Sequence, residues 1–167
     1  MLRRQRVTHV VTLPDNASAA LVSCLESPPS PRLVWVTREG EAFALASGLW
    51  AGGAMPVVLI QNTGLLESGD ALRGTAMRMR VPLVCLVTYR GYASLRAASP
   101  PAAADGALLG RPDVDSVAVL TEPTLRAWGV PYAFLSDDGD LPRLTEAFAE
   151  AARLEQPVAL LLPEATT

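Results

Sequence analysis

Six short apolar runs separated by helix-like segments predict an α/β fold, a three-layer sandwich on a mainly parallel six-stranded sheet. Three observations carry this expectation. The strand–helix–strand rhythm repeats along the whole 167-residue chain. The apolar runs are rich in Val, Leu and Ile without strict alternation, as in strands covered on both faces. No internal repeat or linker interrupts the rhythm, so residues 1–167 read as one domain.

Taken in order, residues 9–13 form the first expected strand and 33–37 the second. Residues 56–61, 83–88, 132–136 and 158–162 follow as strands three to six. Helices are expected over 16–25, 39–51, roughly 67–79, part of 113–128, and 141–154. The last carries Leu144, Phe148, Ala151 and Ala152 near helical spacing. Pro142 falls in its first turn, where a missing amide is harmless. Parallel strands joined by helices imply right-handed crossovers. The stretch 93–112, rich in Ala, Pro and Ser, reads as a long mobile loop, and loops of that length are often functional.

Composition excludes several chemistries. Half of the residues are hydrophobic, 19% are charged and the formal net charge is −3, which gives no basic surface for nucleic acid. All 14 basic residues are arginine, so a Schiff-base, pyridoxal-phosphate or P-loop lysine is absent. His9 is the single histidine, which rules out a multi-histidine metal site within the chain and reads as structural. Cys24 and Cys85 lie far apart in apolar segments, as free thiols do. No apolar run is long enough to cross a membrane, and the first residues lack a signal-peptide core. A cytoplasmic setting is expected.

Open α/β sheets bind ligands beyond the carboxyl ends of their strands. That rule selects Leu13-Pro14-Asp15-Asn16, Thr37-Arg38-Glu39-Gly40, Gln61-Asn62-Thr63-Gly64 and Tyr89-Arg90-Gly91-Tyr92. The glycine-rich turn of a dinucleotide fold is missing after the first strand, where Pro14-Asp15-Asn16 stands instead. Glu39 sits where a strand meets a helix of small residues. By itself it reads as a helix-start carboxylate favoured by the dipole. Asp15 likewise reads as a helix cap, and Arg90 as a surface arginine or an anion-binding fork.

The segments Glu39 to Gly48 and Pro56 to Leu65, with Gln61-Asn62-Thr63-Gly64-Leu65 inside the second, resemble the pyrimidine-binding (Pyr) domain of thiamine-diphosphate enzymes. Within that superfamily they are similar to the sulfopyruvate and phosphonopyruvate decarboxylases, which carry Gln-Asn-Ser-Gly-Leu there. Val81-Pro82-Leu83 and Tyr89-Arg90-Gly91 continue the likeness, which covers about residues 8–92, and 121–130 recovers it loosely. The resemblance implies that Glu39 hydrogen-bonds the cofactor's aminopyrimidine, with Gly48 at the family's spacing. Glu41, the rival carboxylate, does not match that spacing. A carboxyl with this task needs an apolar setting where it can hold a proton, expected from Ala42, Phe43, Leu45, Val34 and Val36. Asp15 is then a second catalytic candidate, able to assist protonation, beside its capping role. Pro14, Gln61, Asn62 and Gly64 become candidate cofactor contacts, and Asn62, Thr63 and Arg90 candidate substrate contacts.

The resemblance also implies an incomplete site. The Gly-Asp-Gly segment and later Asn that hold magnesium and diphosphate are missing; Asp105-Gly106 and Asp138-Gly139-Asp140 lack the form. No metal ligand is therefore assigned here, and thiamine diphosphate with Mg²⁺ is expected to be completed by a separate diphosphate-binding, beta-type chain. A heterotetramer or larger heteromer follows, with helix 39–53 and the pair Leu65-Leu66 as interface candidates. Two departures put the sulfonate or phosphonate substrate in question: no histidine follows Tyr89-Arg90-Gly91, and Leu66-Glu67-Ser68-Gly69-Asp70-Ala71-Leu72 replaces an Asn-rich run. The expected activity is decarboxylation of a 2-oxo acid. The alternatives are a carboligase of the acyloin or acetolactate kind on the same scaffold, and a non-catalytic partner subunit.

Overall fold

The computed structural model describes residues 1–27, 30–97 and 104–163. After a 3-10 turn at Leu2–Gln5 the chain alternates strands and helices. The strands are β1 (His9–Thr12), β2 (Arg32–Trp35), β3 (Pro56–Gln61), β4 (Val84–Thr88), β5 (Tyr132–Phe134) and β6 (Val158–Leu162). The helices are α1 (Ala19–Glu26), α2 (Glu39–Ala51), α3 (Asn62–Glu67), the single turn α4 (Gly69–Ala71), α5 (Tyr92–Ala97), α6 (Gly106–Leu109), α7 (Ser116–Trp128) and α8 (Pro142–Leu154). All strand pairings are parallel, in the order β2-β1-β3-β4-β6-β5. This is the expected α/β class.

Alternation along each central strand divides its side chains between two cores. Val58, Ile60, Cys85, Val87, Ala159 and Leu161 face α2, α3 and α7, whose Phe43, Ala46, Leu65 and Leu125 are 0% exposed. Val57, Leu59, Val84, Leu86, Val158 and Leu160 face the opposite layer, against Val22 of α1 and Leu144, Ala147 and Ala151 of α8. Three layers result, and the central strands read as continuous apolar runs because both faces are covered.

Helix α2 spans the residues expected from sequence, and three other segments differ. The third strand does not open into a loop: β3 passes directly into α3, so Asn62, Thr63 and Gly64 form a helix's first turn. The helix expected over roughly 67–79 therefore begins at Asn62 instead. It breaks at buried Ser68, whose hydroxyl bonds the Leu65 carbonyl at 2.9 Å, and continues through α4 into a π-helical turn at Leu72–Met77. Such wide turns are uncommon and absorb one extra residue. The expected 93–112 loop is also not irregular throughout. Tyr92 and Leu95 anchor α5 on the core, and Asp105 caps α6 by accepting the Leu108 amide at 2.8 Å. Residues 98–103 of that loop lie outside the described residues.

Neither thiol is in a disulfide: Cys85 is buried in β4 and Cys24 is exposed on α1. Burial pushes the Cys85 thiol far above its ordinary range, since no neighbour offsets the loss of solvent for a thiolate. A thiol-specific reagent at neutral pH should therefore modify one cysteine in the folded chain and both after denaturation. Two equally fast reactions in the native protein would contradict this packing.

Candidate active site

All six strands run the same way, so their carboxyl ends share one rim. The order β2-β1-β3 reverses direction at β1, which makes the gap between the β1 and β3 exits the switch point where such sheets bind ligands. Asp15 bridges that gap. Its Oδ1 accepts Gln61 Nε2 at 3.0 Å and the Ala17 amide at 3.2 Å, while Oδ2 accepts the Thr88 hydroxyl at 3.3 Å. The exits of β1, β3 and β4 are thereby tied to one carboxylate. Asp15 is not the helix cap expected from sequence: α1 starts after Ser18, and the Ala17 contact closes a turn before it. Thr88, 1% exposed, was not anticipated, although a hydroxyl ending the apolar run Val84–Thr88 was the available signal.

The second centre is the start of α2. Three glutamates gather there and their surroundings separate them. Glu41 Oε2 accepts the amides of Thr37 and Arg38 at 3.0 and 3.2 Å and the Thr37 hydroxyl at 3.0 Å. It closes the helix start, and those bonds, the Thr37 amide foremost, hold it below the usual carboxylate range. Glu67, at the end of α3, bonds the Arg38 guanidinium at 2.8 Å and the Gly40 amide at 2.9 Å. Its acidity is strengthened first by Arg38 and then by that amide.

Glu39 alone of the three has no hydrogen bond or ion pair among the described residues. Its half-buried side chain lies across Gly64. A Cβ at residue 64 would stand 2.5 Å from Glu39 Oε1 and 2.6 Å from its Cδ, so a side chain there would displace the Glu39 carboxyl. The apolar setting is narrower than expected. Ala42 and Phe43, three and four positions on, share the buried face at 0% exposure. Val34 and Val36 are half-buried, and Leu45, six positions on, turns to solvent at 39%.

The remaining candidates divide. Gln61 belongs to the Asp15 group and also accepts the Thr63 hydroxyl at 3.0 Å; Thr63 and Pro14 are exposed. Pro14 and Asp15 border an open depression of about 530 Å³ with Trp35 and Glu26. Asn62 belongs to the scaffold. It is 0% exposed, its amide donates to the Arg90 carbonyl at 3.0 Å and the Thr121 hydroxyl at 3.1 Å, and it accepts the Arg90 amide at 3.2 Å. Both amide hydrogens are thus engaged and none is left for a ligand. The Arg90 side chain meets Asp115, with Nε to Oδ2 at 3.3 Å. Asp115 caps α7 through the Val117 and Ala118 amides at 3.1 and 3.2 Å. Gly91 makes this possible, since its φ is +80° and a Cβ would meet Asp115 Oδ2 at 2.8 Å. His9 sits apart at the start of β1, beside the Thr8 hydroxyl at 2.9 Å. Leu65, an interface candidate, is 0% exposed within the core.

Fold and rim together define a doubly wound α/β domain whose strand exits carry carboxylates and amides rather than a glycine-rich phosphate turn. The comparisons with known proteins identify which. Residues 1–108 match the family model described as thiamine pyrophosphate enzyme, N-terminal TPP binding domain, and the chain belongs to that family. Phosphonopyruvate decarboxylase from Streptomyces viridochromogenes is 36% identical over 85 residues, covering 51% of this chain and 21% of that protein. The alpha subunit of sulfopyruvate decarboxylase from Methanothermobacter thermautotrophicus is 28% identical over 85 residues, covering 51% and 52%. Sulfopyruvate decarboxylase from Methanosarcina acetivorans aligns over 98% of this chain and 38% of its own length at 26% identity. The chain thus spans about half of the alpha subunit and a smaller part of the longer relatives. Benzoylformate decarboxylase from Polynucleobacter necessarius superposes with a TM-score of 0.68 at 24% identity, over 97% of this chain and 28% of that one, which establishes the shared fold. Among the described residues no helix is long and apolar enough to cross a membrane, and no group of three or more His, Cys, Asp or Glu could hold a metal ion.

Replacing Asn62 with Ala should lower stability by about 1–3 kcal/mol, because the Arg90 backbone and the Thr121 hydroxyl lose a buried partner. Urea unfolding measures it. Unchanged stability together with lost ligand binding would instead make Asn62 a ligand contact.

Proposed function

We propose that this chain is the pyrimidine-binding part of a thiamine-diphosphate-dependent 2-oxo-acid decarboxylase, related to the sulfopyruvate and phosphonopyruvate enzymes and active with a second chain. The observation that carries the reading is the Glu39 carboxyl, uncommitted among the described residues and lying where a side chain at residue 64 would displace it. The residues present fit the pyrimidine end of the cofactor. Glu39 has no hydrogen bond or ion pair among the described residues, Ala42 and Phe43 follow on its helix face, and the site lies on the strand-exit rim. Thiamine diphosphate, when bound, supplies the electron sink that lets a 2-oxo acid release carbon dioxide.

The chain's own residues have defined tasks in this reading. Glu39 hydrogen-bonds the aminopyrimidine ring nitrogen and holds or yields the proton there. Asp15, oriented by Gln61 and Thr88, is the candidate proton carrier for the product carbon. Pro14 and Gln61 shape the cofactor side of the rim, and the exposed Thr63 oxygen, its hydrogen donated to Gln61, is left to accept from a substrate. Arg90 would reach an anionic substrate only after release from Asp115, so no substrate contact is assigned to it or to Asn62. Mg²⁺ and the diphosphate are assigned to the second, beta-type chain in a heterotetramer or larger assembly. The relatives named as alpha subunits support that assignment. The unpaired Cys24 and Cys85 support a reducing, cytoplasmic setting.

The test is calorimetric titration of thiamine diphosphate with Mg²⁺ into this chain alone and into a complex with a diphosphate-binding chain. Binding is expected only in the complex, with Glu39→Gln weakening it and removing turnover of 2-oxo acids. No binding by a well-formed complex would defeat the cofactor assignment. Full turnover by Glu39→Gln would favour a non-catalytic partner instead, and products formed with an added aldehyde would mark a carboligase. Gly64→Ala, which places a methyl group against Glu39, should leave the chain folded by circular dichroism and lower cofactor affinity on the order of tenfold or more.

A further inference from the structure

Glu67 has no task in the reading above, yet its contacts converge on Glu39. Its Oε2 accepts the amide of Gly40, the residue after Glu39, at 2.9 Å, and its Oε1 reaches Arg38, the residue before, at 2.8 Å. Gly40 lies in the first turn of α2, where amides lack partners within the helix and the dipole favours a negative charge. Three residues before Glu67, on the same α3 turn, Gly64 carries the Glu39 side chain. Helix α3 therefore grips Glu39 at two points, the backbone beyond it and the side chain itself.

The two Glu67 contacts are unequal. Arg38 is 73% exposed, so solvent screens the ion pair and it contributes little. The amide contact is the one that constrains geometry, since it fixes the helix's first turn to α3. Other charged groups nearby are committed elsewhere. Glu41 closes on Thr37 and Arg38, while Asp70 of α4 and Arg73 of the π-helical turn pair with each other at 2.9 Å.

We infer that Glu67 is a positioning residue for Glu39, holding the start of α2 through the Gly40 amide so that the Glu39 carboxyl stays over Gly64 and aimed at the cofactor. The inference rests on the reading of Glu39 as the cofactor contact. A misplacement of about 1 Å lowers a rate on the order of 100-fold, so a contact that only steers Glu39 has measurable weight.

Two measurements test it. In the full chain alone, hydrogen exchange at the Gly40 amide should accelerate on the order of tenfold in Glu67→Ala and stay near wild type in Glu67→Gln, which keeps an oxygen for that amide. In the complex with the diphosphate-binding chain, thiamine-diphosphate affinity and turnover are measured for Glu67→Ala, Glu39→Gln and the double variant. Glu67→Ala should lower affinity or turnover on the order of tenfold, Glu67→Gln should restore most of it, and Glu67→Ala should add nothing once Glu39 is Gln. Equal losses from Glu67→Ala in both backgrounds, unchanged Gly40 exchange, or failure of Glu67→Gln to rescue would overturn the positioning role. A Glu39→Gln variant indistinguishable from wild type in affinity and turnover would defeat the functional reading separately, with the exchange result still deciding whether Glu67 holds α2.

Discussion

Helices α2 and α3 meet on one face of the sheet at a point where the side chain of Glu39 occupies the space that any Cβ of residue 64 would need. The arrangement of the site follows from this contact. Small residues line the meeting: Gly64 admits the carboxyl, and Ala42 and Ala46 bring the inner face of α2 close against the sheet. A side chain at 64 would displace the Glu39 carboxyl from this position.

Carboxylates of the same kind are given different tasks here by their immediate donors. Glu41 and Glu67 each receive backbone amides and are held as anions. Asp15 receives an amide, a glutamine and a threonine, and its carboxyl ties three strand exits together. Glu39 receives none of these among the described residues, and buried Ala42 and Phe43 follow it on the same helix face. A group without committed donors, beside apolar surface, is the one best able to exchange a hydrogen bond with an incoming ring nitrogen.

Rigid supports surround these groups. Asn62 fastens the β3–α3 junction to the Arg90 backbone and to Thr121 of α7. The Tyr89 hydroxyl donates to the Ala118 carbonyl at 2.8 Å, and its ring lies 5.1 Å from Tyr92 and 6.4 Å from Phe134. Asp115 joins Arg90 to the start of α7. Polar residues of the motifs thus hold the strand exits in place, which a site built on strand and helix ends requires.

The amino-acid sequence by itself determined the class of fold, the six strands nearly to their ends, and helix α2 to both ends, because two-sided burial and helix periodicity are properties of neighbouring residues. It also singled out Glu39, Asp15, Gln61 and Gly64 as lying on one rim, since parallel strands place all their exits together. What it left open was which polar group meets which. Asn62 looked like a ligand contact because an amide after a strand is the same in sequence whether it faces solvent or a neighbouring helix. Only the packing of α7 against α3 buried it against Thr121. The reach of Glu67 across 27 positions to Gly40, and of Thr88 across 73 to Asp15, likewise had no local signal. Tertiary structure decided those pairings, because hydrogen-bond partners are selected by distance in space and the chain's order carries no record of it.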